Sequence, residues 1–145
     1  KKKLQASYTM EATKAFTKVL SEVTKRDMYE AILICLFPDR ISTTIVTDIA
    51  TLQSNIMENI VTKAEDIIRI IGDTNTITKA LIMKYEHLNI IKKLPPDIYV
   101  SPLDPSIVFG NNINEVISYF ASEDATKKRI VSELHAAYQF TRKNK

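Results

Sequence analysis

The sequence predicts an all-α fold: an irregular bundle or short right-handed superhelix of six to seven helices, with one Pro-rich ordered crossover loop. Three observations predict it. Only two glycines, Gly72 and Gly110, occur in 145 residues, whereas sheets with many tight turns draw on glycine for positive φ. Apolar residues recur at spacings of three and four along most of the chain, the period of one helix face. Four of the five prolines fall within residues 94–111, so that outside this stretch only Pro38 interrupts the helical pattern.

Taken in order, residues 1–8 form a basic, flexible N-terminal segment. Thr9 suits an N-cap for a helix over 10–24, whose buried face is Ala12, Phe16, Val19, Leu20 and Val23. Asp27 and Glu30 have capping-box spacing and open a helix running to Leu36, where Pro38 stops it. That helix is apolar nearly all round, so it belongs at the centre of the domain.

Ser42 or Thr43 caps the next segment, in which Ile45, Ile49, Leu52, Ile56, Ile60, Ala64, Ile67 and Ile71 keep a helical period up to Gly72, a suitable C′ residue. The segment is one helix over 43–71, or two broken near Ser54 and Asn55. After the polar connector Asp73, Thr74 and Asn75, a stripe of Ile77, Leu81, Lys84, Leu88 and Ile91 marks a helix that ends before Pro95.

Residues 94–111 read as an ordered loop, because they combine prolines with Ile98, Tyr99, Val100, Leu103, Ile107, Val108 and Phe109. Asn112, with Glu115 three residues on, caps a helix facing inward through Ile113, Val116, Ile117 and Phe120. Ser122 starts the last helix, with Ile130, Leu134 and Ala137 inward beside Val131 and Tyr138. Residues 142–145 form a basic tail, and the single helical domain spans 9–141.

The net charge is +3 from 20 basic and 17 acidic residues, too mild to imply a polyanionic partner by itself. Cys35 is the single cysteine and lies in an apolar run, which suits a reducing nuclear or cytoplasmic compartment. No apolar run reaches the 18 or so residues of a membrane span, so no membrane partner is expected. Isoleucine outnumbers leucine 20 to 10, a bias that accompanies AT-rich coding in some yeasts, protists and large DNA viruses. The first residue is Lys1 rather than Met, as in a domain cut from a longer protein.

Catalytic signatures are missing one by one. His87, His135 and Cys35 fall on separate predicted helices without metal-ligand spacing. No Gly-rich phosphate loop and no nucleophile elbow occurs. Apolar neighbours push the Cys35 thiol up, away from nucleophilic use. Glu65–Asp66 and Glu123–Asp124 point about 100° apart on helices, so neither converges on one atom. Glu123 with Lys127, and Asp124 with Lys128, read as helix-supporting pairs.

No enzyme, metal or cofactor is therefore expected. The favoured reading is a non-catalytic protein–protein interaction domain of a larger nuclear or cytosolic assembly. It would bind another protein or peptide through Tyr99, Val100, Leu103, Ile107 and Phe109 in the Pro-rich loop. Ser101–Pro102 in that loop is also a candidate phosphorylation point. The second reading is a nucleic-acid-binding domain using Lys92, Lys93, Lys127, Lys128 and Arg129. The third is a self-associating structural domain, a homodimer built on Ile-rich helices.

Overall fold

Asp48 shows how the chain is cut into helices. Its backbone is extended (φ −70°, ψ 159°), and its carboxylate accepts from the Thr51 N–H at 3.1 Å and the Thr51 hydroxyl at 2.7 Å. That N-cap starts a new helix inside the stretch whose apolar period looked continuous. The computed structural model describes residues 2–21 and 26–143, with side chains for 6–21 and 26–142. Val23, expected on the first helix face, and Lys145 of the basic tail lie outside the described residues. Among the described residues there are eight α-helices and three strands, and most of those residues are helical. The fold is thus mostly helical but not all-α.

The chain divides into two compact units, Lys1–Ala80 and Leu81–Lys145, within the span read as one domain. In the first unit, α1 (Lys2–Ser21) packs on α5 (Ala64–Gly72), and α2 (Arg26–Leu36) packs on α4 (Ile49–Asn59) and α5. The 3₁₀ turn Pro38–Arg40 and the single turn α3 (Ile41–Thr44) join α2 to α4. Ala12, Phe16 and Val19 of α1 are buried as predicted, against Tyr29, Ile32 and Leu33 of α2 and Leu52, Ile56, Ile67 and Ile70. α2 is buried from Tyr29 to Ile34, as its all-round apolar sequence requires.

Four local expectations are corrected here. α1 begins at Lys2, and Thr9 lies inside it, its carbonyl taking the Thr13 hydroxyl at 2.8 Å. α2 already includes Arg26, so Asp27 lies inside it rather than at its cap, and Glu30 is buried and pairs with Arg26 Nε at 2.9 Å. The stretch 43–71 breaks twice, at residues 45–48 and 60–63, rather than near Ser54. Side-chain hydroxyls of Thr44 and Thr47 bond back to Arg40 and Thr43 carbonyls there, competing with helix propagation. Gly72 is the last residue of α5 rather than a left-handed C′, because the chain leaves extended through Asp73 (φ −83°, ψ 119°).

The boundary between the units falls within α6 (Thr76–His87). α6 ends in a Schellman motif: Ile90 N–H donates to the Tyr85 carbonyl at 2.8 Å and Asn89 N–H to that of Glu86 at 3.1 Å, with Asn89 left-handed at φ 60°. Of its predicted stripe, Ile91 and Lys84 are buried but Ile77 is exposed; Ala80 and Tyr85, expected beside the stripe, are buried, and so is Ile82.

The Pro-rich stretch holds the largest departure. It forms an antiparallel meander of β1 (Lys92–Leu94), β2 (Ile98–Val100) and β3 (Val108–Gly110), in the order β1-β2-β3. Strands of three residues are too short to display a period of two, and the prolines sit in the turns, outside the ladder. β3 carries a bulge at Phe109, since Tyr99 pairs with Gly110 and Val100 with Val108. The strand then runs directly into α7 (Ile113–Phe120). A Cβ on Gly110 would stand 2.6 Å from the Glu115 Cβ, so only glycine permits that approach.

α7 starts as predicted: Asn112 Oδ1 accepts from the Glu115 N–H at 3.0 Å, and Glu115 Oε1 accepts from the Asn111 N–H at 3.0 Å. α8 (Ala125–Lys143) starts three residues later than Ser122, since Asp124 takes the Lys127 N–H at 3.1 Å. It buries Val131, Leu134 and Tyr138, while Ala137 is exposed. The core of this unit joins Ile82, Tyr85, Ile91, Tyr99, Phe109, Val116, Leu134 and Tyr138.

Candidate interaction surfaces

The meander divides its apolar residues between core and solvent. Tyr99, Val100 and Phe109 are 6%, 1% and 3% exposed, and Phe109 meets the Tyr119 ring edge-on at 5.0 Å. These three side chains complete the core of the second unit and leave almost no surface to a partner. Ile107 is half-buried. Leu103 is 97% exposed and alone of the five stands in solvent.

The loop that carries Leu103 is pinned at its base and along one side. Ser101 N–H donates to the Ile107 carbonyl at 3.0 Å, and Ile107 N–H to the Asp104 carbonyl at 3.0 Å. Asp104 Oδ1 accepts from the Ser106 N–H at 3.1 Å and the Ser106 hydroxyl at 2.6 Å. These bonds hold the Asp104 carboxyl below its usual range, so it is anionic at neutral pH. Pro102 and Pro105 fix φ on either side of Leu103 and Asp104. The Asp-x-Ser spacing is the sequence signal of this Asx turn.

The basic residues are spread over the same unit and largely engaged. Lys93 Nζ pairs with Asp97 at 3.3 Å and lies 5.5 Å from the Tyr99 ring centre. The Asp97 contact, then the Tyr99 hydroxyl, raises its pKa. Lys128 pairs with Glu123 at 2.7 Å, one residue out of the predicted register, and Lys127 lies over Tyr119 at 5.2 Å instead of on Glu123. Lys92 and Arg129 are exposed. Ion pairing thus occupies two of the five candidate cations and ring stacking a third.

His87 is exposed, and His135 touches Tyr85 and Phe120. Among the described residues no three His, Cys, Asp or Glu side chains gather within reach of one metal ion. Burial pushes the Cys35 thiol up, with Lys79 opposing the shift. No helix among the described residues is long and apolar enough to cross a membrane.

Two recesses lie among the described residues of the first unit. A groove of about 560 Å³ runs between α1 and the end of α5, floored by Ala15, Val19, Met28, Ile68 and Ile71. A smaller pocket of about 200 Å³ lies between the end of α2, the 3₁₀ turn, α3 and α4. Spacing along the chain gave no sign of either, because each is assembled from separate helices. Val46, Ile49 and Met57, on and beside α4, are exposed. No protein-family model matches the chain, and no curated protein or solved structure shows significant similarity to it.

Proposed function

We propose that this chain is a non-catalytic helical interaction domain, part of a larger nuclear or cytosolic assembly, that engages another protein through the β2–β3 loop. The observation that carries the reading is Leu103, 97% exposed at the tip of a loop ordered by its own hydrogen bonds and prolines. Burying a leucine side chain is worth roughly 1.5–3 kcal/mol, and a loop already ordered loses little entropy on binding. The partner this tip fits has an apolar pocket for Leu103 and a basic group for the Asp104 carboxylate beside it. Tyr99, Val100 and Phe109 act in this reading as the loop's buried foundation.

The test is affinity purification from the native source with wild-type chain and Leu103→Asp, both after nuclease treatment. A protein retained by the wild type and lost with Leu103→Asp is the expected result. Recovery of the same proteins by both forms overturns the reading. Capture that disappears with nuclease, or that falls steeply with salt, would favour nucleic-acid binding through the basic residues instead.

A further inference from the structure

The small pocket of the first unit holds polar groups whose bonding capacity is unspent. Its floor is apolar: Leu33, the Phe37 ring and Leu52. Arg40 and Glu58 stand on its border. Elsewhere in this unit opposite charges that come close do pair, as Arg26 does with Glu30, Arg69 with Asp66 and Lys79 with Asp73. Arg40 and Glu58 border one pocket and yet form no ion pair with each other or with any described residue.

Arg40 is nonetheless held in place. Its guanidinium lies 4.6 Å from the centre of the Phe37 ring, a cation–π contact that does not use up its N–H donors. The other polar lining residues differ in what they have spent. The hydroxyls of Thr44 and Thr47 are spent on backbone carbonyls at 3.0 and 2.7 Å. The half-buried Asn55 gives its backbone carbonyl to Asn59 Nδ2 at 2.7 Å, while its own carboxamide bonds to no described residue. The Thr43 hydroxyl is likewise unengaged.

The volume, about 200 Å³, holds roughly six or seven waters at about 30 Å³ each. That is the space of a molecule with a similar number of heavy atoms, below the usual range for drug-sized ligands. The contents it fits carry a negative group for Arg40, a positive group for Glu58, hydrogen-bonding atoms for Asn55 and Thr43, and a short apolar part for the floor. We propose that this pocket binds a small zwitterion, a free amino acid, with its carboxylate on Arg40 and its ammonium on Glu58. The site is separate from Leu103 and does not depend on the partner proposed there.

The experiment is a ¹H–¹⁵N NMR titration of the whole chain with each of the free L-amino acids, and with N-acetylated and C-amidated forms of any that bind. Saturable shifts confined to the Thr43 and Thr47 amides and the Asn55 backbone and side-chain amides are expected. Arg40→Gln and Glu58→Gln are each expected to weaken binding about tenfold or more, the loss of one charge-assisted contact. Acetylation or amidation, which removes one charge from the ligand, should do the same. Both residues are exposed, so an unchanged spectrum outside the pocket shows that the variants fold. The proposal is overturned if no free amino acid moves these resonances up to its solubility, if binding survives both substitutions, or if only one of the two charges matters.

Discussion

The Tyr85 hydroxyl shares a hydrogen bond with Nδ1 of His135, tying α6 to α8 inside the second unit. The imidazole also meets Phe120 edge-on at 6.0 Å, and the Tyr85 ring stands 5.3 Å from that of Tyr138. Burial of Tyr85 strongly disfavours its phenolate, so at physiological pH the phenol keeps its proton. Neutral His135 then accepts at Nδ1. Protonated His135 would present an N–H there instead, and the hydrogen bond would have to reverse.

Partial desolvation against Tyr85 and Phe120 holds the His135 pKa below its ordinary 6.5. The folded chain therefore binds fewer protons than the unfolded chain as pH falls through this range. The associated stability is present in full above about pH 6.5 and is lost as pH drops from there through the folded-state pKa. Urea unfolding at about pH 7.5 and about pH 5 should show a larger loss for wild type than for His135→Gln. Equal losses in the two proteins would show that His135 is not the titrating group.

Gly110 and Gly72 give opposite expectations for the same substitution. A Cβ at Gly110 would meet the Glu115 Cβ at 2.6 Å and the Val116 backbone N at 2.9 Å. Gly110→Ala must push β3 off the start of α7 and should cost about 1–3 kcal/mol, the usual range for overpacking. At Gly72 nothing lies within 4 Å of the added carbon and the backbone is helical. Gly72→Ala should stabilise by about 0.4–1 kcal/mol. Denaturant midpoints of the two variants check both signs.

Asn112→Ala removes the side-chain oxygen that accepts the Glu115 N–H at 3.0 Å. The expected loss is about 1 kcal/mol. Asn112→Asp should keep most of the stability, because an aspartate accepts the same bond and complements the helix dipole. Chemical denaturation of the two variants side by side distinguishes a lost cap from a lost packing contact.

Leu103 and Leu52 test how burial divides the leucines. Leu52 is completely buried in the first core, and Leu52→Ala should cost about 2–5 kcal/mol. Leu103→Ala should leave stability within about 0.5 kcal/mol while impairing partner capture. A large stability loss at Leu103 would mean that the loop packs against something and is not a free tip.

Cys35 should react slowly. Its thiol pKa is raised by burial, so little thiolate exists at neutral pH. Iodoacetamide at neutral pH should label the native chain far more slowly than the same chain in urea. Equal rates would show that the thiol is neither protected nor shifted.

Much of the fold was legible residue by residue. The faces Ala12–Phe16–Val19 and Ile113–Val116–Ile117, the buried α2 and the Asn112 cap all follow from spacing and from side chains bonding their own backbone within a few residues. What misled was also local. The unbroken apolar period from Ile45 to Ile71 concealed two helix breaks, because each short helix buries a face whatever its angle to the next. The meander was concealed because its strands gain their partners from across the sheet rather than from their own three residues.

The sequence by itself determined the mostly helical character, the Asn112 cap and the identity of most core residues, since these depend on neighbours within one or two turns. Only tertiary structure decided which apolar residues of the Pro-rich stretch enter the core: Tyr99, Val100 and Phe109 go inside and Leu103 stays out. Only it brought Arg40 and Glu58 to the lining of one pocket. Those outcomes depend on strand pairing and on contacts between separate helices, where burial and charge are set by residues far apart along the chain.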